Sequence, residues 1–432
     1  MKILLLNLPY NGQKLQRDFA CAHSSKADYY WPPIDLVVYS AIFSEQELYF
    51  IDGVQDSKNI MERIIEINPD YIFTLVSAIS IKEDISLIGK IKKAIPKVKV
   101  SASGDLASFE PKRIGKEIDF IIPDFTEREE IRKIVFGKQK RILESKKRTE
   151  FSIGIARHEL FKKYNYKMPY SYYSPVTSLI TNFGCPFRCK FCNSNRLNFK
   201  YRNLNEVVEE LRYIEKVGIK EVYIRDFTFG IPKLKELLNS IIKSGIKLKW
   251  SCEFRVDIAN EEILRLMKKA GCFLIFYGGE SGNQKTLDSM NKGFSLEQVK
   301  KAVDFTKKAG IETLISFIIG FDNETEKDIH KTQEFIMELY PDYVSINVLV
   351  PRIGSEFREE INSSEEIKLD NSEAMGKLYS NGKYAVDYKE AIEKKFFFRP
   401  MKLLRYLVLS AKTFQRFKNF VKSGASIFLR IK

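Results

Sequence analysis

Three cysteines, Cys185, Cys189 and Cys192, fall within the short stretch GCPFRCKFCN. Thiolates at such close spacing can hold a metal, and two of them could form a redox disulfide. Structural zinc usually takes four ligands, often as two C-x2-C pairs. Iron–sulfur clusters are held by thiolates on tight loops that wrap a compact inorganic core. The other cysteines, Cys21, Cys252 and Cys272, are single and far away in apolar or aromatic settings, and read as small buried hydrophobes. That leaves three ligands. A [4Fe–4S] cluster on three thiolates has one iron without a protein ligand, open to another molecule.

Such a loop needs a rigid support, and the chain around it supplies one. From residue 173 onward, apolar strands alternate with amphipathic helices: Val176–Thr181, Glu221–Arg225, Lys247–Glu253, Phe273–Tyr277, Thr313–Ile319 and Tyr343–Val350 as strands. Helical patterns fill the gaps at Asn205–Val217, Pro232–Ser244, Glu261–Ala270, Leu296–Ala309 and Thr325–Leu339. Six strand–helix units predict a partial (β/α)6 TIM-like barrel with its working face at the C-terminal strand ends. The cysteine loop directly follows the first of these strands.

The preceding residues show the same rhythm. Strands are expected at Lys2–Asn7, Leu48–Asp52, Tyr71–Leu75, Val98–Ser101 and Phe120–Ile122, separated by helices at Ile34–Ser44, Ser57–Ile67, Ile81–Ala94 and Glu127–Phe136. This α/β pattern predicts a doubly wound, Rossmann-like parallel sheet. Its ligands would sit at the carboxyl strand ends, which carry Leu8-Pro9-Tyr10, Ser77–Ser80 and Ser103-Gly104-Asp105. The division expected is a first domain over 1–140, a linker that packs down over 141–172, a barrel over 173–365 and a helical basic segment over 366–432.

The triplet, with Phe191 just before its last cysteine, resembles the signature loop of the radical S-adenosylmethionine enzymes. The resemblance implies a [4Fe–4S] cluster on Cys185, Cys189 and Cys192 whose open iron chelates S-adenosylmethionine. Electron transfer then gives methionine and a 5′-deoxyadenosyl radical. The segment IRDFTFG is similar to the second-strand segment of the subfamily with a cobalamin-binding-type domain in front, and implies a methionine contact for Asp226. SCEFRVD implies Arg255 as a partner of the carboxylate. FYGGESGNQKTLDSMNKG is similar to the fourth-strand segment and places Glu280 and Ser281 near methionine or ribose. SFIIGFDNETE resembles the fifth-strand segment that contacts adenine, and brings in Ser316 and Gly320; PRIGSEF resembles the turn after the sixth strand. The letters GGE at Gly278–Glu280 spell a motif that the family carries after its second strand. By strand count they close the fourth, and position is the better guide.

The first domain resembles the cobalamin-binding-type domains of that subfamily. YYWPPIDLVVYSAIF is similar to their helix entry, and SASGDLASFEPKRI to their GGxHATFxPE segment, with Ser103 for the first glycine and Leu106 for the histidine. IIPDFTEREEI matches the usual GEGE poorly. No D-x-H-x-x-G follows the first strand, and His23, His158 and His330 are isolated. Ser77, Ser103 and Gly104 are the residues that the resemblance offers to cobalamin.

Composition sets the outer limits. With 44% hydrophobic and 29% charged residues, the chain reads as globular rather than disordered. MKILLLNLPY reads as a buried strand rather than a signal peptide, and no uncharged apolar run of transmembrane length occurs, so a cytoplasmic setting is expected. The net charge of +15 is concentrated in the tail, where residues 394–432 hold eleven Lys/Arg and no acidic residue. There Leu403, Leu407, Ala411, Phe414, Phe417 and Val421 recur at helical spacing, interleaved with Lys402, Arg405, Lys412, Arg416 and Lys422. Such a helix could lie in an anionic membrane surface, or dock on the enzyme with its basic face solvated. No nucleic-acid-reading fold joins these basic residues.

The functional expectation is reductive cleavage of S-adenosylmethionine, with cobalamin-dependent methylation of an unactivated carbon. The alternatives are cobalamin-independent C–C coupling, cyclisation or rearrangement, and, from another class, an iron–sulfur electron carrier at the membrane surface. The expected partners are a small-molecule or lipid-like substrate and an electron donor such as ferredoxin or flavodoxin.

Overall fold

The computed structural model describes residues 1–12, 15–17, 19, 23–24, 30–321, 324–360, 383–419 and 421. The first sheet begins with β1 (Lys2–Asn7), followed by a short hairpin, β2 (Leu15–Gln16) and β3 (His23–Ser24). It continues through β4 (Glu47–Asp52), β5 (Tyr71–Leu75), β6 (Lys99–Ser103) and β7 (Phe120–Ile121). All its pairings are parallel, in the order β4-β1-β5-β6-β7. This is the flavodoxin-like winding, in which the direction of strand addition reverses between β1 and β5 and leaves a crevice at their carboxyl ends. Near-continuous apolar runs such as Ile3–Leu6 form these strands because both faces are covered. The helix Ile34–Ile42 is buried along its whole length. It lies between this sheet and the next domain, where the Ser178 hydroxyl donates to the Pro32 carbonyl at 2.8 Å.

Residues 141–172 join the two halves through side chains. Strand β8 (Glu150–Phe151) lies here, and the Tyr166 hydroxyl donates to Asp52 at 2.5 Å. The backbone N–H of Asp52 donates to the Tyr164 hydroxyl at 2.9 Å. His158 is buried between Thr177 and Glu210, at 2.7 Å from each, which makes it a structural residue.

The second sheet starts with β9 (Val176–Leu179). After it come β10 (Asn182–Phe183) and β11 (Lys200–Arg202), which form a small sheet with β8. The barrel strands continue as β12 (Glu221–Ile224), β13 (Lys249–Phe254), β14 (Cys272–Glu280), β15 (Glu312–Ile319) and β16 (Tyr343–Val348). Six strands run parallel in the order β16-β15-β14-β13-β12-β9. Residues of one parity (Ile224, Cys252, Ile275, Ile315) pack under the surrounding helices. The other parity (Tyr223, Glu253, Phe276, Ser316) lines the interior. Cys252 and Cys272 are buried in the helix-side core, as small hydrophobes would be; Cys21 lies outside the described residues.

The C-terminal segment corrects one expectation in part. Helices Lys383–Phe397 and Pro400–Ser410 pack on the barrel, and the basic side chains divide: Lys402 and Arg416 are buried, while Lys394, Lys395, Arg405, Lys412 and Lys418 stay exposed. Lys402 is buried against the Tyr340 and Pro341 carbonyls, and Arg405 pairs with Asp342 at 2.9 Å. Arg416 pairs with buried Glu312 at 2.8 Å and covers the Tyr172 ring at 3.7 Å. The carboxylates that start β15 and precede β16 turn Arg416 and Arg405 toward the barrel. Lys422 lies outside the described residues.

Candidate functional site at the carboxyl end of the barrel

The cysteine loop leaves β10 at Gly184, whose φ is +73°. A Cβ there would come within 3.0–3.2 Å of the Leu197 and Asn198 backbone, so glycine is required by both conformation and space. The loop is held at several points. Lys190 N–H donates to Met290 O at 3.0 Å, and Asn291 Nδ2 donates to Arg188 O at 2.7 Å. Asn193 Nδ2 reaches Ile353 O at 2.9 Å. The segment after β14 and the turn after β16 therefore fix the loop from two sides.

Cys189 is buried, and Cys185 and Cys192 are partly exposed. Cys192 Sγ lies 3.1 Å from Ser194 Oγ, and Cys185 Sγ lies 3.9 Å from Thr228 Oγ1. Burial pushes the Cys185 and Cys189 thiols up, and thiolate charge on Cys192 would raise both further. Lys292 and Arg255 act on Cys189 in the opposite direction. Among the described residues, no three His, Cys, Asp or Glu side chains converge on a position for a single ion. A polynuclear cluster spreads its thiolates over different irons, so a three-thiol loop beside two buried cations fits that group better than a mononuclear metal.

Arg255, at the end of β13, forms a bidentate pair with Asp257 at 2.9 and 3.0 Å. Its guanidinium stacks on Phe187 of the cysteine loop at 3.6 Å and lies 4.0 Å from Cys189 Sγ. Glu280 closes β14 in the left-handed region (φ 59°) and pairs with Lys292 at 2.7 Å. A Cβ at Gly279 would meet Ile315 Cγ2 at 2.7 Å, so the second glycine of GGE is demanded by the neighbouring strand. Ser316 is half-buried on the interior face of β15, opposite Gly278. Gly320 (φ +93°) donates its N–H to Glu324 Oε2 at 2.7 Å, and burial raises the Glu324 carboxyl to about 7.

Two of the expected barrel contacts are engaged within the fold. Asp226 is fully buried and accepts hydrogen bonds from Thr181 N (2.7 Å), Asn182 N and Asn182 Nδ2 (both 3.1 Å) and the Thr181 hydroxyl. It ties β12 to the turn that launches the cysteine loop. Burial, opposed by these bonds, raises it to about 7. Ser281 is also buried; its hydroxyl accepts from Asn283 N at 3.1 Å and meets Thr332 Oγ1 at 3.3 Å.

The interior wall holds residues that motif reading missed. Arg225 Nη1 lies 2.9 Å from both Glu253 Oε1 and the Tyr223 hydroxyl, and Trp31 of the first domain covers the guanidinium at 5.6 Å. The available signal was parity: Tyr223 and Arg225 alternate with core-facing Val222 and Ile224, and Glu253 and Arg255 alternate likewise with Cys252 and Phe254. Lys292 had no such signal, because only the turn after β14 brings it to Cys189.

The carboxyl end of the first sheet is arranged differently. Arg17 is fully buried between β1 and the helix Ile81–Ala94, donating to Leu8 O at 2.6 Å and pairing with Asp84 at 2.7 Å. Ser77 joins this network through Ser80 at 3.0 Å. Gly104 (φ +110°) is required by the β5 end, since a Cβ would lie 2.3 Å from Val76 O. Ser103 faces the Tyr39 hydroxyl. Asn7 Oδ1, Gln16 Oε1 and Ser101 Oγ are buried without a hydrogen-bond partner, and buried polar atoms are normally paired. Ser101 lies mid-strand in β6, whereas Asn7 and Gln16 offer acceptors near the strand ends that fit a polar ligand there, although the crevice itself is filled by Arg17.

Comparison with known proteins agrees with this architecture. Residues 179–336 match the Radical SAM superfamily. A 362-residue stretch is 30% identical to the uncharacterized methyltransferase PH0819 of Pyrococcus horikoshii, covering 76% of this chain and 78% of that protein. The chain is 31% identical over 199 residues to the bacteriochlorophyllide d C-12(1)-methyltransferase of Chlorobaculum tepidum, spanning 44% of this chain and 43% of that enzyme. The fold is similar to that of the radical S-adenosylmethionine methyltransferase TsrM from Kitasatospora setae, solved with cobalamin and a [4Fe-4S] cluster, with a TM-score of 0.64 at 15% identity over 83% of this chain and 77% of that one. It also resembles the cobalamin-dependent enzyme OxsB, with a TM-score of 0.60 at 17% identity over 91% of this chain and 56% of that one. Through its barrel and its long match to the Pyrococcus protein, the chain belongs to the radical SAM superfamily of enzymes.

Proposed function

We propose that this enzyme cleaves S-adenosylmethionine reductively and uses the resulting radical chemistry to methylate a small-molecule or lipid-like substrate. The observation that carries the proposal is the three-cysteine loop, clamped at the carboxyl end of the barrel with Arg255 and Lys292 beside Cys189. Cys185, Cys189 and Cys192 would hold a [4Fe–4S] cluster. When bound, that group supplies the electron which splits S-adenosylmethionine into methionine and a 5′-deoxyadenosyl radical.

Within this proposal Arg255 and Lys292 offset negative charge next to Cys189, and the carboxylate of Glu280 is held in place by Lys292. The interior position Ser316 and the turn at Gly320 would contact the nucleoside. Arg225, Tyr223 and Glu253 offer polar groups to the substrate deeper in the barrel, with Trp31 as an aromatic wall. Asp226 and Ser281 position the loops that carry these groups rather than touching ligand. The electron donor would be a ferredoxin or flavodoxin, and the setting the cytoplasm.

Cobalamin, which supplies a transferable methyl group when bound, would rest on the first sheet's carboxyl face near Asn7, Gln16 and Ser103. The filled β1/β5 crevice favours a second reading, in which the same barrel performs cobalamin-independent coupling, cyclisation or rearrangement. The test is anaerobic reconstitution with iron, sulfide, S-adenosylmethionine and a strong reductant. Formation of 5′-deoxyadenosine is expected; its absence from a fully loaded protein overturns the proposal. Cobalamin retained after purification from supplemented cells supports the methylating reading, and its absence supports the second.

A further inference from the structure

We propose that the outward face of the C-terminal helices is a docking surface for an anionic lipid bilayer, which holds the enzyme by the end of the barrel opposite its cysteine loop. Among the described residues, twelve large apolar side chains are exposed, and all but Met1, Ile65 and Phe136 lie between 398 and 421. Met401, Leu404, Leu407 and Val408 project from the helix Pro400–Ser410, and Phe414 and Phe417 from the helical turn at 414–419. Phe414 is 82% exposed and Met401 66%. Exposed apolar patches of this continuity mark interaction sites.

The helix is oriented so that this face has to point outward. An amphipathic helix on an ordinary core would bury its leucines and expose its cations. Here Lys402 and Arg416 are drawn inward by the Tyr340 and Pro341 carbonyls and Glu312, and Arg405, although exposed, is tied to Asp342. Turning over the helix would expose buried Lys402, and turning over the segment at 414–419 would strand buried Glu312 without Arg416. The inward cations therefore fix the outward apolar face.

Charge selects the occupant. Residues 394–432 contain eleven Lys/Arg and no Asp or Glu, and Lys394, Lys395, Lys412 and Lys418 are exposed on the same segment as the apolar side chains. A second copy of the chain would bring two basic rims together, whereas an anionic headgroup layer complements the rim and accepts the apolar side chains beneath it. No described helix is long and apolar enough to cross a membrane, so the contact is with one surface of the bilayer. Glu312 begins β15 and Asp342 precedes β16, at the amino ends of the strands, while the cysteine loop lies at their carboxyl ends. The bilayer would thus leave the barrel mouth open to solvent.

The experiment is co-sedimentation of the full-length protein with phosphatidylcholine vesicles and with vesicles containing phosphatidylglycerol, with sedimentation velocity run in parallel without lipid. Wild-type protein is expected to pellet with the anionic vesicles and not with the zwitterionic ones, and to release as salt is raised. The triple variant Leu404→Ser, Val408→Ser, Phe414→Ser should bind roughly tenfold or more weaker. Its thermal midpoint and 5′-deoxyadenosine yield should match wild type, since it alters only exposed positions. Failure of wild type to bind anionic vesicles overturns the proposal. So does equal binding by the triple variant, or a wild-type dimer that this variant dissociates. Vesicle binding is read without turnover, so it stands or falls apart from the proposed chemistry.

Discussion

The carboxyl ends of the two parallel sheets offer similar side chains and use them in opposite ways. At the barrel end, Arg255 and Lys292 pair with Asp257 and Glu280 and still lie beside a cysteine thiol. At the first sheet's end, Arg17 pairs with Asp84, a Leu8 carbonyl and Ser80, and fills the crevice where such a sheet takes its ligand. A buried cation that faces a thiol can serve chemistry there. One that faces only its own carboxylate serves the fold. Composition does not separate the two cases, because both ends are rich in Arg, Asp and Ser.

Breaking each end should therefore give different readouts. Replacing Cys189 with Ala should abolish both cluster incorporation and 5′-deoxyadenosine formation while leaving the folded helix content intact. Visible absorption and product chromatography check it; retained activity would remove Cys189 from the ligand set. Arg17→Ala should act on stability instead, by about 3–5 kcal/mol, because it leaves Asp84 buried without its cation. Urea unfolding measures this, and the pair replacement Arg17→Met with Asp84→Leu should recover much of the loss. Equal stability of Arg17→Ala and wild type would show that the crevice is not held shut by this pair.

Lys292→Met tests both kinds of effect at once. A loss of about 1–3 kcal/mol is expected from leaving Glu280 without its hydrogen-bonded partner, together with slower cluster reduction than in Lys292→Arg. A drop in stability alone would make Lys292 a purely structural residue. A separate effect concerns pH. Asp226 is raised from 3.8 to about 7 by burial. The folded state therefore holds a proton that the unfolded state has lost, and stability falls as pH rises between about 4 and about 7. Asp226→Asn should flatten that slope in urea titrations across the interval. An unchanged slope would assign it to other buried carboxyls such as Glu221, also raised to about 7 by burial.

Much of the architecture was legible because its signals are local. Strands such as Lys2–Asn7 and Tyr71–Leu75 and the helix Ile81–Ala94 appear in the structure at the expected bounds, since apolar runs and helical spacing report burial directly. The reading of GGE by strand rather than by spelling agrees with Gly278–Glu280 closing β14, fourth along the barrel from β9. Lys292, Arg17 and the Trp31–Arg225 contact were not legible. Each meets partners remote in sequence, and no periodicity records which loops converge. The C-terminal helix was read with the right spacing, and its setting, membrane surface or docked helix, stayed open because a hydrophobic stripe does not say which of its faces has carboxylates waiting.

The sequence by itself determined the alternating β/α order, the three-thiol loop behind the first barrel strand and the concentration of positive charge in the tail. These follow from residue type and spacing along the chain. Only the tertiary structure decided that Asp226 bonds the turn before the cysteine loop, that Arg17 closes the first sheet's crevice and that the tail buries Lys402 and Arg416 while it presents leucine and phenylalanine beside its exposed lysines. In each case the deciding force is the cost of leaving a charge buried without its partner, and that partner is supplied from elsewhere in the chain.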